Sequence, residues 1–126
     1  MTRAQYTGFI FIAITIAFTV IGQLMIKQGV MATGASPARL GQIPLFIMRV
    51  FTNPLVIAGL ACAVISMTSW TLALSRLNLN LAYPFLGLAI VLVLVFARVI
   101  AGEPVSLLRW VGVLIVCLGL WVVAQK

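Results

Sequence analysis

Four polar side chains recur at steps of four in an otherwise apolar run: Thr15, Thr19, Gln23 and Lys27. In a helix this spacing lays them along one slowly turning face. Threonines on such a face commonly hydrogen-bond a neighbouring helix inside a membrane. Gln23 and Lys27 read better as the lining of a cavity, since a cation one or two turns below a membrane surface needs either water or an anion. A second cluster, Ser66, Thr68, Ser69, Trp70, Thr71 and Ser75, is rich in hydroxyls that could bond a sugar or simply satisfy backbone carbonyls. Arg98 could snorkel, or it could make the bidentate contacts to phosphate that Lys cannot. Tyr83 precedes Pro84 at the start of one apolar run, and Glu103 is the only carboxylate side chain.

These residues sit in a chain of 126 that is 64% hydrophobic and only 7% charged, with a mean hydropathy of +1.28. A water-soluble domain would carry about 25% charged residues. With no His, one acid and two Cys, a carboxylate dyad within the chain, a Ser-His-Asp triad and a Cys/His zinc site are excluded by count, so no catalytic group, metal or cofactor is expected. The net charge of +7 is not gathered on one face. Arg3, Lys27, Arg39, Arg49, Arg76, Arg98, Arg109 and Lys126 lie singly, mostly where apolar runs stop, as snorkelling anchors and anionic lipid headgroups require. Without a basic cluster or interleaved aromatic platform, nucleic acid is not an expected partner. Cys62 and Cys117 fall inside apolar runs and are expected to pack as small hydrophobes.

The elements that must position the polar groups follow from the apolar runs. The expected fold is all-α: one four-helix transmembrane domain over residues 1–126, with spans at about 8–26, 54–75, 81–101 and 107–124. The first span is expected to end at Lys27. It is longer than the 7 to 15 apolar residues of a signal peptide, and three further spans follow. Asn53-Pro54 supplies an N-cap followed by Pro at the first helical position of the second span. Pro84 is expected in the first turns of the third, where it costs little. Ser106 can cap the fourth.

Between the first two spans, residues 43–51 (IPLFIMRVF) amount to about 13 Å of helix, less than half a bilayer core. They read as a short helix lying in the interface, with Arg49 toward the headgroups. In the last span, Gly112 and Gly119 share a face, which suits a dimer contact or close packing within the monomer. For topology, one side would hold Arg3, Arg76 and Lys126, the other Lys27, Arg39, Arg49, Arg98 and Arg109. So small a bias is compatible with insertion in both orientations.

The run Thr19-Val20-Ile21-Gly22-Gln23-Leu24-Met25-Ile26-Lys27, the pair Ala82-Tyr83, the connection Gly102-Glu103 and the segment Gly112-Val113-Leu114-Ile115-Val116-Cys117-Leu118-Gly119 resemble the four-helix proteins of the drug/metabolite transporter superfamily. That superfamily includes the small multidrug resistance exporters and EamA-like proteins. In the multidrug exporters a membrane-embedded Glu, eight residues before the Lys, exchanges protons for cationic drugs. The corresponding position here is Thr19, which does not titrate near neutral pH. Gly22-Gln23 with Lys27, and Gly102-Glu103-Pro104 before the last span, are instead similar to the branch of subunits proposed to flip undecaprenyl-phosphate-linked sugars such as aminoarabinose across the bacterial inner membrane. The resemblance implies a substrate with a phosphate, a sugar and a long isoprenoid tail.

The expected function is therefore movement of an anionic polyprenyl-phosphate-linked sugar or related lipid between leaflets, with no bond changed. Lys27 and Arg98 would hold the phosphate. Thr19, Gln23 and the turn carrying Ser66, Ser69, Trp70 and Thr71 would contact the headgroup, and Tyr83 and Glu103 are further expected substrate-binding residues. The partners are membrane lipid, that lipid-linked sugar and a second similar subunit, identical or not. Two alternatives stay open at this level: an exporter of small cationic or polar solutes lacking the embedded Glu, and a non-transporting subunit of a membrane glycosyltransferase system.

Overall fold

The computed structural model describes residues 2–125; Lys126, one of the cations in the topology count, lies outside them. Five α-helices and one 3-10 turn account for nearly all of the described chain, and no strand occurs among the described residues. They are α1 (Arg3–Thr33), α2 (Ile43–Thr52), α3 (Pro54–Leu74), α4 (Leu79–Ile100) and α5 (Leu107–Val123), with the 3-10 turn Leu40–Gln42 leading into α2. Three of them, α1, α3 and α4, are long and apolar enough to cross a membrane. α5 is apolar but has 17 residues.

α1 is longer than its apolar core, because Lys27 does not end it. Lysine is a good helix former, and the chain stays helical until Gly34, whose φ of 112° lies where side-chain-bearing residues are strained. At 31 residues α1 is about 46 Å long and overreaches a hydrocarbon core of about 30 Å. Its start is held by Thr2, whose N–H donates to Gln5 Oε1 at 3.0 Å. Asn53 and Ser106 cap α3 and α5 as expected: Asn53 Oδ1 accepts from the Leu55 N–H at 2.9 Å, and Ser106 Oγ from the Arg109 N–H at 3.4 Å. α4 begins two residues early, at Leu79, so Pro84 falls at the sixth helical position rather than in the first turn. There its missing N–H does remove one backbone bond.

α1 is the hub. It packs antiparallel against α3 along its length, touches α4 on a second side, and α5 packs on α4 alone. The α1–α3 contact is made by glycines. A Cβ at Gly22 would lie 2.9 Å from the Gly59 carbonyl oxygen, one at Gly59 would lie 2.8 Å from the Gly22 oxygen, and one at Gly29 would lie 3.0 Å from the Val56 nitrogen. Only hydrogens fit at that crossing, so the backbones meet. Ile12, Ile16 and Val20 of α1, Ala73 of α3, Leu77 after it, and Ala82 and Ala89 of α4 form the core where the three helices join. Phe9 and Phe85 stack edge to face at one end, centroids 5.4 Å apart, and Lys27 meets the loop after α4 at the other. α1 and α4 therefore run in the same direction.

Candidate functional site

The polar stripe of α1 divides into two halves. In the lower half, Thr15 is buried and its hydroxyl donates to the Phe11 carbonyl at 2.8 Å. Ser66 Oγ donates to the Thr15 carbonyl at 3.0 Å and lies 2.6 Å from Thr19 Oγ1. A serine hydroxyl has one hydrogen, so Thr19 must be the donor in that last bond. These hydroxyls staple α1 to α3. In the upper half, Gln23 and Lys27 line a cavity of about 470 Å³ between α1 and α4, together with Val93, Ala97, Ala101 and Glu103. Two adjoining spaces share Thr19 and Gln23: one of about 280 Å³ toward Ser66 and Trp70, another of about 510 Å³ toward Val93 and Glu103. Gln23 borders all three.

Lys27 Nζ lies 2.8 Å from Glu103 Oε1, the side chains remaining 52% and 36% exposed. The pairing follows from the backbone after α4. Gly102 adopts a left-handed φ of 64°, a conformation that costs a side-chain-bearing residue about 1 to 2 kcal/mol. The turn folds the chain back, the Glu103 N–H bonds the Ala97 carbonyl at 3.3 Å, and the carboxylate is delivered over the end of α4 toward α1. Since α1 and α4 are parallel, Lys27 stands at that same level. The cavity walls around the pair are mostly aliphatic, with Gln23 and Gln28 as the other polar side chains.

The expected site residues are only partly assembled. Thr19, Gln23, Lys27, Ser66, Trp70 and Glu103 border the linked cavities. Ser69 is buried in α3, and the Thr71 hydroxyl donates to the Met67 carbonyl of its own helix at 3.0 Å. Tyr83 stands edge-on to Trp70, centroids 5.5 Å apart, and ties α3 to the start of α4. Arg98, expected to hold a phosphate jointly with Lys27, does not border the cavity that Lys27 lines. Ala97 and Ala101, one turn apart, face the cavity, so Arg98 points about 100° round the helix and is exposed. Lys27 is paired with Glu103. Sequence reasoning did not assign Val93 and Ala97 as cavity walls, nor a packing role to Gly22, Gly29 and Gly59; the spacing of Gly22 and Gly29 marks a shared face without saying what that face meets.

No family model matches the chain, and no solved structure matches it. Curated proteins do. One from Photorhabdus laumondii, named "Probable 4-amino-4-deoxy-L-arabinose-phosphoundecaprenol flippase subunit ArnF", is 30% identical over 94% of this chain and 97% of its own length. A subunit ArnE with the same description, from Aeromonas hydrophila, is 35% identical over 73% of this chain and 75% of its own. An ArnF from Shewanella sediminis is 42% identical over a shorter match, 55% of this chain and about half of that protein, 49%.

Proposed function

This chain belongs to the family of 4-amino-4-deoxy-L-arabinose-phosphoundecaprenol flippase subunits ArnE and ArnF, and we propose from that premise that it moves a polyprenyl-phosphate-linked amino sugar between the leaflets of the bacterial inner membrane. The observation that carries the proposal is the cavity at the α1–α4 junction, where Lys27 and Gln23 stand among aliphatic walls. A phosphate meets Lys27 there, Gln23 and Thr19 bond sugar hydroxyls, and the isoprenoid tail stays in lipid outside the open side of the cleft. No bond is made or broken, so the protein acts as a transporter and not as an enzyme.

In this reading residues 1–126 form one membrane unit with α5 as the fourth span, since its 17 residues, apolar but for Arg109 near the start, are at the lower limit of about 17 to 25 for crossing. α2 lies in the interface, with Leu45, Ile47, Met48 and Phe51 exposed and available to the acyl boundary. The working assembly is a pair with a second similar subunit. Transporters commonly place the site between two repeats that rock against each other, and α5, touching only α4, leaves Gly112 and Gly119 open for that partner.

Reconstitution of the chain with a similar four-helix subunit in proteoliposomes tests the proposal. Labelled amino-sugar lipid placed in one leaflet should become accessible to a membrane-impermeant amine reagent on the other side, and Lys27→Ala should abolish the exchange. Equal exchange in protein-free vesicles, or full exchange by Lys27→Ala, would refute it.

A further inference from the structure

Glu103 is the only acid of the chain, and the fold spends a left-handed glycine on placing it against the cavity's one lysine. For a ligand that offers only a phosphate this arrangement is a handicap. Such a ligand must displace the carboxylate from Lys27 and then leave it unpaired beside its own negative charge, between walls formed by Val93, Ala97 and Ala101. Two negative charges brought together beside one lysine repel, and the carboxylate loses its partner. A ligand bearing a phosphate and a primary ammonium on one headgroup meets no such penalty, because one ion pair opens and two close.

We infer that Glu103 is the specificity-determining residue for the headgroup amine: the Lys27–Glu103 pair opens around a zwitterionic headgroup, Lys27 taking the phosphate and Glu103 the ammonium. The inference rests on the flippase reading above and adds to it the reason an aminated sugar is chosen over a neutral one. The pair is suited to such an exchange. Both side chains are partly exposed at 52% and 36%, so a headgroup can reach them, and Gln23, one turn below Lys27, presents both a donor and an acceptor to what lies between. No other side chain of the described residues forms an ion pair with either, so nothing else competes for the two charges.

The test compares two probes on the full chain, assembled with its partner subunit in lipid nanodiscs. One is a polyprenyl-phosphate-linked 4-amino-4-deoxypentose; the other is the same lipid with its amine acetylated, which removes the positive charge and keeps the phosphate. The native chain should bind the amine form about tenfold more tightly, the scale of one hydrogen bond between charged groups. Glu103→Gln should bring that ratio close to one while binding the acetylated lipid at least as well as the native chain does, a gain that a merely structural role of Glu103 would not produce. Lys27→Ala should weaken both probes. An unchanged ratio in Glu103→Gln, or equal affinity of the native chain for the two lipids, would overturn the assignment while leaving the flippase reading in place. Failure of the native chain to bind either lipid would overturn both.

Discussion

Two pairs of glycines, Gly22 with Gly29 in α1 and Gly112 with Gly119 in α5, have the same spacing along apolar helices, and their surroundings are opposite. A side chain at Gly22 or Gly29 would collide with α3, whereas a Cβ at Gly112 or Gly119 would meet nothing within 4 Å. The α1–α3 half is a backbone-to-backbone contact stapled by Thr15, Thr19 and Ser66. The α4–α5 half is a looser contact of side chains, in which Leu120 lies over Gly87 and Leu114, Ile115, Leu118 and Val122 remain exposed. In one half the glycines are used up by a contact within the chain; in the other they stay open. In a membrane, where lipid is as apolar as leucine, close packing rather than apolarity distinguishes a contact from an exposed face.

The contrast is most directly broken at the crossing itself. Gly59→Leu should destabilise the fold by about 3 kcal/mol or more, since the added atoms meet backbone that cannot move aside, and the loss would register as failure to accumulate in the membrane or as early unfolding in denaturant. At the cavity end of the same helix, Lys27→Ala should weaken binding of a phosphate-bearing lipid by about 1.5 to 3 kcal/mol. Arg98→Lys should leave that binding unchanged, because Arg98 is turned away from the cavity; a deficit in the second variant as large as in the first would mean the cavity has been misread.

A smaller effect is expected from the staple. Thr19→Val removes one interhelical hydrogen bond, worth about 0.6 kcal/mol on average in membranes and at most about 1.7, measurable by reversible unfolding in bicelles. The smallest effect on the monomer sharpens the comparison most. Gly112→Leu or Gly119→Leu should change the stability of the single chain by less than about 0.5 kcal/mol while lowering association with the partner subunit and transport together. Crosslinking through Cys117 after Cys62→Ala reads that association in native membranes. A large loss of monomer stability from either glycine variant would erase the difference between the two halves.

Much of this architecture was legible in the sequence. The helix starts at Asn53-Pro54 and Ser106 were marked by residues whose side chains do one local job. The split of the α1 stripe followed from cost: a threonine hydroxyl can be satisfied by a neighbouring helix, whereas a lysine cannot be left in lipid. Less legible were the ends of α1, because hydropathy reports where the lipid stops and helix propensity continues past it. The glycines could not be ranked, since the same spacing at Gly22/Gly29 and Gly112/Gly119 carries no information about which face meets a neighbour.

Composition and period alone determined that this chain is helical, belongs in a membrane and has too few His, acid and Cys side chains for a carboxylate dyad, a Ser-His-Asp triad or a Cys/His zinc site, because those properties follow from residue counts and from local backbone geometry. Tertiary structure decided which charge Lys27 faces. Seventy-six positions separate it from Glu103, and their meeting depends on α1 and α4 running parallel, on Ala97 and Ala101 turning the cavity face of α4 inward, and on a single left-handed residue at Gly102. Arg98, which the sequence suggested as a second phosphate ligand beside Lys27, is turned from the cavity because a helix points each successive residue about 100° away from the last and Ala97 takes the cavity side.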